Sequence, residues 1–293
     1  MFELMAADLG AGVVEDHAPR ARGALVDRGD EFGWHCFMMD YMTGPLADID
    51  RMPRGGPDAS CLDRLLETDR LEYLDRDSDR PADVARKRSV IRALEWAGER
   101  FGTTEKFAEI ALAEVADVAD PKILELGAGH GGLSRKLLDW HPTAHLTTTD
   151  VEAASVEAMA DSDLGRHPRA TVRQMDATAI DAPDGQFDLA VFALSFHHLP
   201  PSTAARAIAE GTRVAGKLLI IDLPRPPSPL HLLRLATMLP FAPVFPFAHD
   251  GVISSLRTYS PSALRALAAH ARPGIELQLR GGLMSPQVVV ARC

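Results

Sequence analysis

The stretch that decides the fold is Lys122-Ile-Leu-Glu-Leu-Gly-Ala-Gly-His-Gly-Gly132, an apolar run followed directly by a glycine-rich turn. The run has the length and residue types of a buried strand, and residues 131–140 have the spacing of a helix. Glycine permits backbone angles closed to other residues and leaves room for a ligand beside the main chain. The N–H groups at the start of the next helix attract negative charge. The stretch therefore predicts a strand–turn–helix unit with a ligand site at the turn.

Strands and helices alternate after Pro121, which predicts a parallel sheet covered by helices on both faces. A helix cap at Ser260, with Pro261 at the first position, predicts one further helix. The predicted strands are 122–127, 145–150, 171–175, 187–194, 216–222, 275–279 and 286–291, and the other predicted helices are 131–140, 152–160 and 202–212.

The chain before this unit divides in two by pattern. Residues 1–60 have weak periodicity and many chain breakers, so we predict an acidic, irregular extension. Apolar residues spaced by three and four predict an N-terminal helical cap over 61–118, with a helix stop after Phe101 followed by a threonine cap. Residues 119–293 then form the ligand-binding domain.

Composition excludes several classes of protein. The net charge is −10, and residues 1–80 carry 18 acidic residues against nine arginines and no lysine. No basic stripe is present to pair with phosphates, so a nucleic-acid partner is not expected. Three scattered cysteines, without metal-ligand spacing, argue against a disulfide framework and suit a reducing compartment. The start lacks a signal-peptide pattern, and we expect a cytoplasmic protein.

One apolar stretch, Pro229–Ala248, is long enough to be weighed as a membrane span, and it lies inside the segment 226–250. Arg234 lies inside it, and Pro240, Pro243 and Pro246 would break a spanning helix. We predict a lid over a pocket, without stable membrane insertion; contact with a membrane surface is the alternative.

The glycine turn alone is ambiguous. Gly127, Gly129 and Gly132 also fit the G-x-G-x-x-G pattern of dinucleotide-binding proteins, with Asp150 near the spacing of a ribose carboxylate. A turn that only packs a helix on a strand is a further alternative.

Three acidic residues favour one interpretation. Glu125 lies beside the turn, Asp150 ends the second strand and Asp176 follows the third, at intervals of 25 and 26 residues. Because the ends of parallel strands meet at one edge of a sheet, these acids would face a ligand together. An amino group, a ribose diol and an adenine amino group are what such acids accept hydrogen bonds from.

These motifs, with Asp176-Ala177 and Phe187-Asp-Leu-Ala-Val-Phe-Ala-Leu-Ser-Phe-His-His-Leu-Pro200, resemble those of class I S-adenosylmethionine-dependent methyltransferases. The resemblance covers residues 120–225 and extends weakly to His249-Asp-Gly and Leu256-Arg-Thr-Tyr-Ser260, which resemble a bacterial small-molecule subgroup. It implies a Rossmann-like, doubly wound α/β fold with a mostly parallel seven-stranded sheet and an antiparallel C-terminal strand.

The resemblance also implies roles for individual residues. Glu125 and the glycine backbone would hold the methionine end of S-adenosylmethionine, Asp150 the ribose, and Asp176 with Ala177 the adenine. The cofactor-binding residues that we predict are Glu125, Gly127, Ala128, Gly129, Gly131, Asp150, Val151, Asp176, Ala177 and Ala193.

A base would assist methyl transfer to a hydroxyl, and the candidates are His197 and His198, which follow the fourth strand. Their alternative role is to pack at a loop–helix junction. Asp222 and the pair His249-Asp250 are further candidates. We expect no metal site, because adjacent side chains diverge and no carboxylate lies at ligand spacing.

The predicted reaction is methylation, at a hydroxyl oxygen, of a small, moderately apolar metabolite such as a polyketide, a quinone-like phenol or a sugar. The alternatives are a nicotinamide-dependent oxidoreductase and a protein of methyltransferase fold that binds the cofactor or a partner without catalysis. The sequence does not determine the oligomeric state.

Overall fold

The computed structural model describes residues 48–293, with the exception of Asp77, Asp79, Leu283 and Met284. The predicted acidic extension is therefore described only from Asp48 onward, and the rest of it lies outside the described residues.

In this part of the chain seven strands form one sheet, in the order β3-β2-β1-β4-β5-β7-β6. Neighbours from β3 to β5 pair in parallel, and β7 pairs antiparallel with both β5 and β6. The predicted fold class is confirmed. The strands are β1 Lys122–Leu126, β2 His145–Asp150, β3 Ala170–Gln174, β4 Phe187–Ala193, β5 Ala215–Asp222, β6 Glu276–Arg280 and β7 Gln287–Arg292.

Helices lie before, between and after the strands. In the described residues they are α1 Cys61–Leu65, α2 Pro81–Phe101, α3 Thr103–Glu114, α4 Gly132–Trp140, α5 Ala153–Ala160, α6 Pro201–Val214, α7 Ser228–Met238, α8 Pro246–Arg257 and α9 Pro261–Ala271. Two short 3-10 helices, Ile49–Arg51 and Phe196–His198, complete the elements, and we call the second the histidine turn.

Successive strand residues alternate between two hydrophobic clusters, one on each face of the sheet. In β1, Leu124 and Leu126 pack in one cluster and Ile123 in the other; in β5, Leu218 and Leu219 divide in the same way. Each fully buried side chain of this size contributes about 1.5–3 kcal/mol. This two-sided burial explains why the strands appear as continuous apolar runs.

The segments before β1 take part in these clusters. Ile49 and Met52 are buried in the cluster that includes α6 and α9, and Phe107 and Ala111 of α3 are buried in the opposite one with α4. Residues of the predicted extension and of the predicted cap therefore both pack on the sheet itself. The proposed division at 60 and 118 stays a prediction.

Two local expectations are corrected. Gly102 (φ 60°) ends α2 in the left-handed conformation and directly precedes α3, so the predicted threonine cap is wrong and Thr103 is already helical. Cys61 is disulfide-bonded, contrary to the expectation from composition, whereas Cys293 is a free, exposed thiol. None of the helices in the described residues is both long and apolar enough to cross a membrane.

Candidate active site

The glycine turn between β1 and α4 is built on three left-handed residues: Gly127 (φ 66°), Gly129 (φ 56°) and Gly131 (φ 72°). A β-carbon at Gly127 would lie 2.9 Å from Ser195 Oγ, so the turn packs closely on the loop after β4. At Gly129 and Gly132 a β-carbon would meet nothing within 4 Å. The backbone is thus bare on one side, as a bound ligand would require.

Asp150, at the end of β2, holds this turn in place. Its Oδ2 accepts a hydrogen bond from the Gly129 N–H at 2.8 Å, and its Oδ1 accepts one from the Glu152 N–H at 2.9 Å. Each oxygen retains a second lone pair for a ligand hydroxyl. Val151, which follows, is 64% exposed.

Asp176 lies just past β3 and is exposed. Its Oδ1 accepts hydrogen bonds from the N–H and the hydroxyl of Thr178, both at 2.8 Å. These bonds fix the turn and leave Oδ2 for another donor. Ala177 is half-buried and packs against the core beside it.

Glu125 is buried beneath the turn, where Ser134 Oγ of α4 donates to its Oε2. Ser134 is also paired with Thr148 Oγ1 of β2 at 2.6 Å. Burial, aided by the charge of Asp150 and opposed by the Ser134 hydrogen bonds, raises the pKa of Glu125 to about 7. A carboxyl in this state is poised to ionise beside a cationic ligand.

The strand register brings the three acid positions to one edge. Glu125 is level with Thr148, two residues before Asp150, and Asp150 is level with Gln174, two residues before Asp176. The remaining predicted cofactor residues, Ala128 and Ala193, are half-buried and pack against the cluster that contains α4.

The predicted base His197 is almost fully buried, with 3% of its side chain exposed. Its Nδ1 lies 2.7 Å from Asp222 Oδ1, and its N–H donates to Asp222 Oδ2 at 2.9 Å. Its Nε2 approaches Glu72 Oε1 to 3.5 Å. Burial alone would lower the pKa of His197, but Asp222 and Glu72 outweigh it and raise the pKa to about 9. A ring that is protonated at neutral pH cannot accept a proton, so this geometry argues against His197 as the base.

His198 is half-buried, and its Nδ1 lies 2.9 Å from Asp75 Oδ2. The same oxygen accepts a hydrogen bond from Arg257 at 2.8 Å, and Arg257 also donates to the His198 carbonyl. With the carboxylate of Asp75 orienting the ring, the second ring nitrogen is available for a ligand or a proton. The role of His198 as a base stays a prediction.

Glu72 and Asp75 are functional candidates that the sequence did not indicate. They precede α2, and Asp75 is 123 residues from the histidine that it contacts, so local pattern carries no signal for the pairing. The expectation that the two histidine side chains diverge is also wrong. Their ring centroids lie 4.3 Å apart with an interplanar angle of 32°.

Buried side chains fix the histidine turn from two sides. Arg54, 4% exposed, donates to the carbonyls of His197, Leu199 and Arg257 at 2.9, 3.1 and 2.8 Å. Its guanidinium lies 4.5 Å from the ring centroid of Tyr259, whose hydroxyl donates to the Leu199 carbonyl at 2.6 Å. The turn is therefore held by residues from opposite ends of the chain.

The candidate pair His249-Asp250 supports the same region from α8. Asp250 accepts the Tyr73 N–H through both carboxylate oxygens, at 2.9 and 3.1 Å, and pairs with His249 Nδ1 at 2.9 Å. Ser254, one turn later, donates to Glu72 Oε1 at 2.7 Å. These contacts indicate a positioning role for Asp250 toward residues 72–75.

The predicted lid, residues 226–250, folds as α7, a turned connection and the start of α8. Pro229 and Pro246 lie at the first or second positions of the two helices, where proline is tolerated. Large apolar side chains of this segment are exposed: Leu232, Leu233, Leu239, Phe241, Val244, Phe245 and Phe247. An exposed patch of this kind marks a contact surface.

Two cavities lie away from the glycine turn. One, of about 400 Å³, lies beside α9 and β6 and is lined by residues such as Arg265 and Leu277. The other, of about 200 Å³, includes Lys122 and His145 at the starts of β1 and β2. Ligands of open α/β sheets bind at the opposite, carboxyl ends of the strands, so we assign neither cavity to the cofactor.

A comparison with known protein families identifies one domain. A family model described as "Methyltransferase domain" matches residues 123–217, which run from β1 through the glycine turn to β5. This stretch of the chain is similar to methyltransferase domains, as its motifs predict.

Two curated relatives of the chain carry different acceptors in their names. A malonyl-[acyl-carrier protein] O-methyltransferase of Geobacter sulfurreducens is 36% identical over 119 residues, which are 41% of this chain and 43% of that protein. A demethylmenaquinone methyltransferase of Thermus thermophilus is 24% identical over 193 residues, 61% of this chain and 86% of that protein. The chain thus spans less than half of the first relative.

Solved structures show the same fold. An O-methyltransferase family 2 protein from Planctomyces limnophilus, in complex with apigenin, superposes with a TM-score of 0.51 at 17% identity, covering 74% of this chain and 62% of that one. All predicted cofactor residues of the chain and both histidines lie inside the family match. Glu72, Asp75 and Asp222 lie outside it.

Proposed function

We propose that this chain transfers the methyl group of S-adenosylmethionine to an oxygen of a small, moderately apolar metabolite. The observation that carries the proposal is the glycine turn at Gly127–Gly131, bare on one side and flanked by the acids at the ends of β2 and β3. The class of acceptor that we favour is a polyketide, a quinone-like phenol or a sugar.

The residues at this edge fit the cofactor. The open backbone at Gly129 and Gly132 leaves space that side chains would fill, and α4 begins without a side-chain cap on its free N–H groups. Those N–H groups suit the carboxylate of the methionine end. Asp150 would accept the two ribose hydroxyls, and Asp176 the adenine amino group.

The cofactor supplies an activated methyl group, and the protein must align the acceptor with it. Alignment of this kind contributes up to about 7–11 kcal/mol in favourable cases. The loop after β4 lies against the glycine turn through Ser195, so the histidine turn adjoins the cofactor side of the sheet. We place the acceptor between the histidine turn and the cofactor.

The name of one relative, the demethylmenaquinone methyltransferase, supports an apolar acceptor. A malonyl group on a carrier protein and demethylmenaquinone are the acceptors that the names of the two relatives state, the first methylated at oxygen. Neither acceptor transfers directly, because the first match covers only part of that relative and the second is 24% identical. The apolar side chains exposed on residues 232–247 suit an acceptor with an apolar body.

Calorimetry and mass spectrometry test the proposal in turn. S-adenosylhomocysteine should bind the purified chain, whereas NADH and NADPH should not. A metabolite extract incubated with the chain and cofactor labelled in its methyl group should then yield a product with the labelled methyl on oxygen. Binding without any labelled product would favour the non-catalytic alternative, and absence of binding would refute the proposal. Cytoplasmic location and the absence of a nucleic-acid partner stay predictions.

A further inference from the structure

We propose that Glu72, His197 and His198 form a binding site for one divalent transition-metal ion such as Zn²⁺. One carboxylate oxygen and one ring nitrogen from each histidine lie within 4.8 Å of one another. The proposal concerns binding of the ion and does not depend on the methyl acceptor.

Geometry supports the ligand set. Zn²⁺ binds imidazole nitrogen at about 2.0–2.1 Å, so two ligands of one ion cannot lie more than about 4.2 Å apart. His197 Nε2 and Glu72 Oε1, 3.5 Å apart, already meet this limit. Small rotations of His198, the half-buried member, would complete the set.

An unpartnered atom points to a ligand. His197 Nε2 is buried and makes no hydrogen bond with any residue that the structure describes, although its approach to Glu72 brings the two charges together. Buried polar atoms are rarely left without a partner, and each such atom calls for an explanation. A metal ion between this nitrogen and the carboxylate would supply one.

The surroundings have the form of an outer coordination shell. Nδ1 of His197 is paired with Asp222, and Nδ1 of His198 with Asp75. Histidines that bind metals almost always donate their other N–H to a carboxylate or carbonyl, which fixes the tautomer and the ring orientation. Ser254 similarly donates to Glu72 Oε1 and fixes its side chain.

The surrounding charges also favour a cation. Three carboxylates, Glu72, Asp75 and Asp222, face the two imidazole rings, and negative groups attract a divalent ion. Two imidazoles and one carboxylate favour Zn²⁺, Co²⁺, Ni²⁺ or Fe²⁺ over Mg²⁺ or Ca²⁺, which prefer oxygen ligands. With three protein ligands the ion retains an open position for an oxygen ligand.

The test is a titration of the full chain, freed of metal by a chelator and then given Zn²⁺ in competition with a chromophoric chelator. We expect one equivalent to bind. His198→Gln and Glu72→Gln should each weaken binding by at least about tenfold, and Asp222→Asn by about 10–100-fold. The matched control is His270→Gln, an exposed residue of α9, which should bind as the wild type does.

A Co²⁺ spectrum of the wild type keeps the proposal testable if a buried variant fails to fold. Visible d–d bands without a thiolate-to-cobalt band would support nitrogen and oxygen ligands and exclude the exposed thiol of Cys293. Equal affinity of wild type and His198→Gln, or a cobalt spectrum with thiolate bands, would overturn the site. In that case the cluster is a charge-paired network without a metal. Neither result bears on cofactor binding, which calorimetry measures separately.

Discussion

Replacing Asp150 by asparagine should weaken S-adenosylhomocysteine binding roughly 10–150-fold. Both carboxylate oxygens already accept a backbone N–H, from Gly129 at 2.8 Å and Glu152 at 2.9 Å. Asparagine puts an NH₂ group against one of these donors and loses the charge. A charged hydrogen bond contributes about 1.5–3 kcal/mol, and each 1.4 kcal/mol is about tenfold in affinity.

Calorimetry can separate loss of the ribose contacts from disturbance of the glycine turn. The design pairs Asp150→Asn with a 2′,3′-dideoxy analogue of S-adenosylhomocysteine in a double-mutant cycle. If Asp150 binds the diol, the wild type should bind S-adenosylhomocysteine much more tightly than the dideoxy analogue, and this difference in affinity should be much smaller in the variant. The exposed Asp139 on α4 provides the matched control, Asp139→Asn. Equal preference in wild type and variant, or affinity within about twofold, would refute the assignment.

Three further predictions address stability. Gly127→Ala should lower the stability to thermal unfolding more than Gly185→Ala does. Both residues have positive φ, which costs an alanine about 1–2 kcal/mol, but only at Gly127 would the new β-carbon also meet a side chain. Equal losses of stability in the two variants would contradict the packing described at Gly127. Burial raises the pKa of Glu125 from 4.5 to about 7, so between these pH values the native state holds a proton that the unfolded state releases. The free energy of unfolding should therefore fall by about 3 kcal/mol as the pH rises from 4.5 to 7. Urea unfolding of Glu125→Gln should show no fall of this origin. Arg54→Met leaves the carbonyls of His197 and Arg257 without this buried donor and should cost at least about 2 kcal/mol in urea unfolding. Arg51→Met, at an exposed ion pair, should cost less than about 1 kcal/mol, and similar losses in both variants would refute the role given to Arg54.

The fold around the glycine turn could be predicted because its signals are local. β2 begins and ends at the predicted residues, and α9 begins at Pro261 with Ser260 as its cap. Short stretches of sequence are enough to predict strand ends and glycine turns, and parallel pairing brings the strand ends to one edge of the sheet. The order of the strands then follows from the fold class.

The histidine side of the site could not be predicted in the same way. Its contacts join residues 54, 72 and 75 to the loop after β4, across more than a hundred positions. Such pairings depend on how the helices α1, α2 and α8 pack in the folded chain. The periodicity of apolar residues shows only that a helix has an apolar face, and not what that face contacts. For the same reason no local pattern predicts that Asp222 and Glu72 raise the pKa of His197.

The residues that hold the histidine turn and the residues of the glycine turn come from different parts of the sequence. The glycine turn and its acids lie inside the stretch that matches the family model, while Arg54, Glu72 and Arg257 lie outside it. If the acceptor lies beside the histidine turn, as proposed, its site is shaped by segments outside the stretch that carries the cofactor motifs. We therefore expect chimaeras that exchange residues 48–80 and 246–260 with those of a relative to change the choice of acceptor without loss of cofactor binding.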